Sequence, residues 1–307
     1  MTEAIYLDID GTLRDEQKGI PKSAIWALEQ CRKQNIKVII CTGRNPASIQ
    51  NDVQALSLDG MISGGGCYIR YRDEILWKKY FSPRTIEHVL RQHDRGDFSL
   101  AMEAETKIWM DEKASTFYRQ DIEKKLRGLN EQRKNQFLIQ NKIVYEANLK
   151  QYDEKVPNVH KLCMAGEKRE IERIRFSLRG ESEIGQEKLW NGRWYLELLP
   201  RGCDKGKAVQ KVNQRLGISK ETTISFGDSE NDIAMMKETG TAVAVGSCSI
   251  LVQECASSIC EPVMEDGLYK ELVRRKVIRP DLGRNSEHER TVVAGGSCIS
   301  DLSEELL

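Results

Sequence analysis

The chain has 307 residues, 39% hydrophobic and 31% charged, which suits one large or two ordinary globular domains and not a disordered segment. Lys+Arg and Asp+Glu both total 47, so the net charge is zero and the basic surplus of a general nucleic-acid binder is missing. No run of about 18 apolar residues occurs and Met1-Thr2-Glu3-Ala4 lacks the basic and apolar regions of a signal peptide, so no membrane span and a cytoplasmic location are expected.

The first stretch alternates strands and helices. Ala4 to Ile9 is an apolar run ending in acids. Pro21 opens a helical pattern through Ile25, Leu28 and Cys31, a position where the missing N–H costs little. Val38-Ile39-Ile40 reads as a second strand, Ser48 to Leu56 as a helix, and Met61-Ile62 as a third strand closed by Gly64-Gly65-Gly66. From about 82 to 187 the chain is more polar. It carries amphipathic helical faces (Ile86, Val89, Leu90; Phe117, Ile122, Leu126; Ile171, Ile174, Leu178) between strand-like pieces at 107–110 and 160–164. Trp190 to Leu199 alternates and is expected to lead back to the first unit. The strand–helix rhythm then resumes: a helix face at Ala208, Val209, Val212 and Leu216 with Gly217 as its C-cap, then strands at 222–226, 241–245 and 257–260. Such alternation predicts an α/β fold, a parallel sheet with helices on both faces. The expected organisation is a core from 1–81 and 188–278, an inserted α+β domain over 82–187, and a weakly ordered tail over 279–307. The nine cysteines are scattered without a C-x-x-C pair and read as small core residues.

Chemistry concentrates at strand ends. Asp8 and Asp10, in Asp8-Ile9-Asp10-Gly11-Thr12, sit where the first strand stops, and ligands of parallel sheets bind beyond such ends. Two carboxylates this close call for a compensating cation, and Mg²⁺ suits oxygen ligands shared with a phosphate. The bland alternative is a solvated acidic turn or helix cap. Ser225-Phe226-Gly227-Asp228-Ser229-Glu230-Asn231-Asp232 repeats the arrangement: Asp228 can supply the metal, while Asn231 and Asp232 either orient ligands or cap the next helix. Thr42 and Gly43, in Cys41-Thr42-Gly43-Arg44, offer a hydroxyl and N–H groups to phosphate oxygens, and Lys205 before a helix can neutralise a transferring group.

Taken together, Asp-x-Asp-Gly-Thr, Thr-Gly-Arg, the lysine before a helix and Gly-Asp-x-x-Asn-Asp, in this order, resemble the haloacid dehalogenase superfamily over residues 1 to about 275. The long insertion between Thr42 and Lys205 is similar to that of the C2-capped, Cof-like subfamily IIB. The resemblance implies a Rossmann-like core under a C2-type cap and a phosphatase acting on a small phosphorylated metabolite, a sugar phosphate or related phosphomonoester. It implies Asp8 as nucleophile through an aspartyl-phosphate and Asp10 as proton donor and then base. Mg²⁺ would be held by Asp8, the Asp10 carbonyl and Asp228, and phosphate by Thr42, Gly43, Lys205 and Asn231. Alternatives of the same fold are a phosphomutase and a non-catalytic phosphate-ligand sensor. No nucleic-acid or membrane partner is expected, and oligomeric state is not legible. Two departures stand near the expected site mouth: Gly65-Gly66 where many relatives have Asn-Gly, and Gly246-Ser247-Cys248 where many have Gly-Asn-Ala. In the insertion, Trp109 reads as core, and Arg84, Arg91 and His93 as a solvated helix face.

Overall fold

The computed structural model describes residues 1–141, 147–153 and 158–280. Five strands come from the first part of the chain: β1 (Ala4–Leu7), β2 (Lys37–Cys41), β3 (Gly60–Ser63), β4 (Tyr68–Tyr71) and β5 (Glu74–Lys78). Six follow from the middle: β6 (Phe98–Ala104), β7 (Ile108–Met110), β8 (Ala147–Asn148), β9 (Val159–Gly166), β10 (Ser182–Trp190) and β11 (Arg193–Pro200). The last three are β12 (Thr223–Gly227), β13 (Thr241–Val245) and β14 (Ser258–Cys260). They form two sheets, β14-β13-β12-β1-β2-β3-β4-β5 and β10-β11-β9-β6-β7-β8.

The first sheet is parallel from β14 to β3 and buried on both faces, which explains its near-continuous apolar strands. Alternation decides which layer each side chain joins. Ile5, Leu7, Val38 and Ile40 pack with Ala24, Ala27 and Leu28 of the helix Lys22–Lys33 and with Leu268 and Leu272 of Gly267–Arg274. Ala4, Tyr6, Ile39 and Cys41 pack with Ala208, Val209 and Val212 of the helix Lys205–Leu216. Each fully buried Leu, Ile or Val contributes roughly 1.5–3 kcal/mol relative to exposure, so the two layers hold β1 from both sides. This is the expected α/β core. The antiparallel pair β4–β5 at its edge was not expected, since its strands are short and polar.

The second sheet is mostly antiparallel. Leu100, Met102, Leu162 and Met164 face Ile86, Val89, Ile171 and Ile174 on one side. Ala101, Cys163, Ala165 and Tyr195 face Ala114 and Phe117 on the other. Two expectations need correcting. Trp190 to Leu199 does not lead back to the core: β10 and β11 form a hairpin in the second sheet, which keeps the chain until Pro200, so a boundary at 187/188 falls inside β10. Alternation announces a strand but not its partner. The helix expected over Ser48 to Leu56 is reduced to a single 3₁₀ turn, Pro46–Ser48, and a short helix, Asn51–Gln54, because Ile49 and Gln50 are extended between them. From residue 281 on, the expected tail lies outside the described residues.

Eight cysteines are described; all are free, and six of them are buried, as the core reading expects, while Cys298 lies outside the described residues. Gly64, Gly65 and Gly66 all have positive φ and form the joint between the units. A β-carbon on Gly64 would meet the His160 ring at 2.5 Å, one on Gly65 the Leu199 side chain at 2.7 Å, and one on Gly66 the Asp204 carbonyl at 2.3 Å. That packing accounts for glycines here.

Candidate active site

Three adjacent parallel strands, β12, β1 and β2, end together, with Leu7 in register with Phe226 and with Ile40. Asp8, Asp228 and Thr42 therefore emerge at one edge of the sheet. Gly11, at φ +85°, turns the chain back over this edge, and a β-carbon there would meet Asp228 Oδ2 at 2.5 Å. Lys205 opens its helix behind the N-cap Asp204 and reaches the same point.

Asp8 is 6% exposed. Its Oδ1 accepts from Lys205 Nζ at 2.7 Å, and the same ammonium donates to Asp232 Oδ1 at 2.6 Å. Asp232 Oδ2 accepts from the N–H groups of Asp228 and Ser229, so Asp232 is committed to holding the loop and the lysine. Ser229 and Asp232 form a capping box on the turn 230–232, the capping alternative for that segment. Asp228 Oδ1 accepts from Thr12 Oγ1 at 2.7 Å. Asp8, Asp228 and Asp232 each place an oxygen within 4.8 Å of the others, a carboxylate cluster able to hold a metal ion. Oδ2 of Asp8 and of Asp228 has no hydrogen-bond partner among the described residues. The donor set is therefore hard oxygen, which fits a divalent cation of the Mg²⁺ type. Burial first, then the neighbouring carboxylates, push Asp8 upward against the pull of Lys205. The same two causes push Asp228 to about 6. Such crowding of negative charge is relieved by a bound cation.

Asp10 stands apart from this cluster. Lys205 lies beside Asp8, whereas the cation beside the Asp10 carboxylate is Arg44. Arg44 grips Asp10 through Nε at 2.5 Å and Nη2 at 2.9 Å, and Gln50 Nε2 adds a third donor at 2.9 Å. Burial opposes ionisation of Asp10, but Arg44 and Gln50 outweigh it and hold the carboxyl below its usual range. Arg44 stands in the Thr-Gly-Arg segment, which does not reveal its partner, and Gln50 carries no signal in sequence.

A cavity of about 670 Å³ opens between the sheets. Asp8, Asp10, Thr42, Gly43 and Asn231 line its floor. Lys205 and Asp228 flank Asp8 without lining the cavity, and neither do Gly65-Gly66 and Gly246-Ser247-Cys248 among the described residues, although the Gly65 N–H donates to the Thr42 carbonyl at 3.1 Å. Arg84, Arg91, His93 and Trp109 also lie off it; Arg84 and Arg91 are exposed as expected, whereas His93 is half-buried and paired with Asp111 at 2.5 Å. The roof, missed by the sequence reading, includes Glu103, Lys161 and Glu197 from β6, β9 and β11. Lys161 Nζ lies 3.0 Å from Glu103 Oε1 and 3.7 Å from Glu197 Oε1, and donates to the Gly43 carbonyl at 3.1 Å. The signal available in sequence was a charge inside each of three apolar strands.

A parallel sheet with buried carboxylates, a lysine and a roofed cavity at its strand ends has the layout of an α/β protein whose ligand site lies beyond the carboxyl ends of its strands. The model of the haloacid dehalogenase-like hydrolases matches residues 5–272, and the chain belongs to that family, in its Cof-like subfamily IIB. It is 26% identical over 269 residues to the 5-amino-6-(5-phospho-D-ribitylamino)uracil phosphatase YcsE of Bacillus subtilis, covering 87% of this chain and 92% of that one. It is 27% identical over 273 residues to the pyridoxal phosphate phosphatase YbhA of Escherichia coli, covering 84% and 93%. A solved subclass IIB sugar phosphatase superposes with a TM-score of 0.71 at 25% identity, over 90% of this chain and all of that one. The protein is a phosphoric monoester hydrolase. No described helix is long and apolar enough to cross a membrane.

Proposed function

We propose that the protein is a Mg²⁺-dependent phosphatase of the cytoplasm, hydrolysing a small phosphorylated metabolite, a sugar phosphate or related phosphomonoester, through an aspartyl-phosphate on Asp8. The supporting observation is the position of Asp8: buried, at the end of β1, paired with Lys205, and open to a cavity whose floor also carries Asp10, Thr42, Gly43 and Asn231. Mg²⁺ would be held by the Asp8 and Asp228 carboxylates and the Asp10 carbonyl, and when bound it supplies positive charge against the phosphate oxygens. Thr42, Gly43, Lys205 and Asn231 hold those oxygens, and Lys205 neutralises charge as it gathers. An oxygen of Asp8 attacks phosphorus, the bond to the leaving oxygen breaks, and Asp10 delivers a proton to that oxygen. Asp10 then takes a proton from water, whose oxygen displaces Asp8 and releases phosphate.

The direct test is phosphate release by Asp8→Asn against the wild type with Mg²⁺ and with a chelator. Loss of about 10³-fold or more is expected from removing the nucleophile. A well-folded Asp8→Asn protein with undiminished turnover would sink the mechanism. Hexose phosphate isomerisation in place of phosphate release would favour a mutase.

A further inference from the structure

The roof of the cavity carries two carboxylates that the chemistry above does not use. Glu103 and Lys161 are register partners on β6 and β9, and Glu197 on β11 pairs with Cys163, two residues along β9 from Lys161, so the three side chains lie on one face of the sheet as diagonal neighbours. Glu103 is 8% exposed and Lys161 5%. The lysine is shared: its nitrogen meets Oε1 of both carboxylates and the Gly43 carbonyl, which occupies its donors. Oε1 of Glu103 also accepts from Cys163 Sγ, and Oε1 of Glu197 from the Tyr195 hydroxyl at 2.8 Å. Oε2 of both residues has no partner among the described residues, although both line the cavity. Two carboxylate oxygens that face the cavity without a protein donor are acceptors open to the donors of a molecule bound there. Because Lys161 ties this group to Gly43, those donors arrive next to the phosphate loop. Lys188, the other cation of this wall, lies over the Trp190 and Tyr195 rings and has no carboxylate within ion-pair distance among the described residues.

We propose that Glu103 and Glu197 are specificity-determining residues, each accepting a hydrogen bond from a hydroxyl or amino group of the leaving alcohol, so that the substrate is the phosphomonoester of a polyhydroxylated or amino-bearing alcohol. This rests on the phosphatase reading above. The alternative is that the two glutamates only anchor Lys161, in which case substrates with and without donors respond alike to their replacement. Hydrogen bonds to charged groups carry about 1.5–3 kcal/mol, roughly 10- to 100-fold in kcat/KM, and a site built for a donor discriminates strongly against an analogue lacking it.

The experiment compares matched monoesters with Mg²⁺ present: glycerol 1-phosphate against propyl phosphate, glucitol 6-phosphate against hexyl phosphate, and O-phosphoethanolamine against ethyl phosphate. p-Nitrophenyl phosphate serves as a donor-free reference. The wild type should prefer the donor-bearing member at least about tenfold in one or more pairs, and the preferred pair tells hydroxyl from amine. Glu197→Met leaves Lys161 on Glu103, and Glu103→Gln keeps the side-chain shape; each should cut that preference about tenfold, with thermal unfolding confirming a folded protein. Equal turnover within every pair overturns the inference, as does a preference that survives both substitutions. If p-nitrophenyl phosphate and all six alkyl esters release no phosphate, the phosphatase reading has failed and the inference falls with it.

Discussion

Asp10 is asked to give a proton in one half of the proposed cycle and to take one in the other. The structure prepares it for the second task, since three N–H donors from Arg44 and Gln50 favour the ionised form. The first task needs a protonated carboxyl, and a leaving group that departs readily as an anion does not need it at all. Asp10→Asn should therefore still release p-nitrophenol in a burst approaching one equivalent of enzyme, because Asp8 remains able to attack. Steady-state turnover should fall by about 10²–10⁴-fold, the usual weight of acid–base catalysis, and an alkyl monoester should give no burst. Rapid-quench measurement decides; a variant without a burst but with normal steady-state turnover would remove Asp10 from both roles. Arg44 is a positioning residue in this scheme. Its substitution by Met frees the Asp10 carboxyl from its strongest partner, so the alkaline limb of the pH–rate profile for an alkyl ester should move upward.

At the scale of elements, the joint between the sheets is where a single carbon atom has the largest effect. Gly64 has φ +57° and faces His160 of β9. Gly64→Ala adds left-handed backbone strain to a 2.5 Å clash and should lower stability by about 2–4 kcal/mol. His160→Ala removes the clashing ring, so the double variant should be more stable than the sum of the singles predicts, and denaturant unfolding measures that coupling. His160 also sets an acid limb. It is 1% exposed, and neither ring nitrogen has a hydrogen-bond partner among the described residues. Burial first, then Lys161, push its pKa down to about 3. The folded protein thus binds fewer protons than the unfolded chain between about 3 and 6.5, and stability falls as pH drops through that window, by at most about 1.4 kcal/mol per pH unit. His160→Ala should flatten this limb relative to the wild type. None of this was legible in sequence, where the three glycines read only as a strand-closing turn. The parallel core and the four site segments were legible because they are local: an apolar run that stops at an acid, a lysine or a Thr-Gly is visible in a few residues. The Asp10–Arg44 pairing, the Glu103–Lys161–Glu197 group and the assignment of β11 to the second sheet depend on which strands become neighbours, and periodicity does not carry that information.

For the molecule as a whole, the question is how a substrate enters a cavity roofed by a second sheet. The chain crosses between the units twice, near Phe81 and near Pro200, and the Phe81 N–H is bonded to the Val159 carbonyl. The glycine joint adds close packing against His160 and Leu199, and beyond it several contacts between the units are polar. Asn45 Nδ2 donates to the Ala104 carbonyl, Lys161 to Gly43, Arg14 to Asn141 Oδ1, and Lys125 Nζ lies 2.6 Å from Glu16 Oε1. Polar contacts of this kind between units permit opening and closing, and closure excludes water from the floor. The Lys125–Glu16 pair is the most exposed of them, at 37% and 42% for the two side chains, so it is worth about 0.2–1 kcal/mol and is screened by salt. Glu16→Gln should therefore shift the balance toward the open form by no more than about fivefold. kcat and KM should change together within that range, since the pair joins the two units, contacts neither Asp8 nor Asp10, and acts through the population of the closed form. Raising ionic strength should move the wild type toward the variant and leave the variant little changed. Stopped-flow and steady-state assays across a salt series test this. A change confined to kcat, or one that persists undiminished at high salt, would mean that Glu16 acts on the reaction through the floor of the cavity and not through closure.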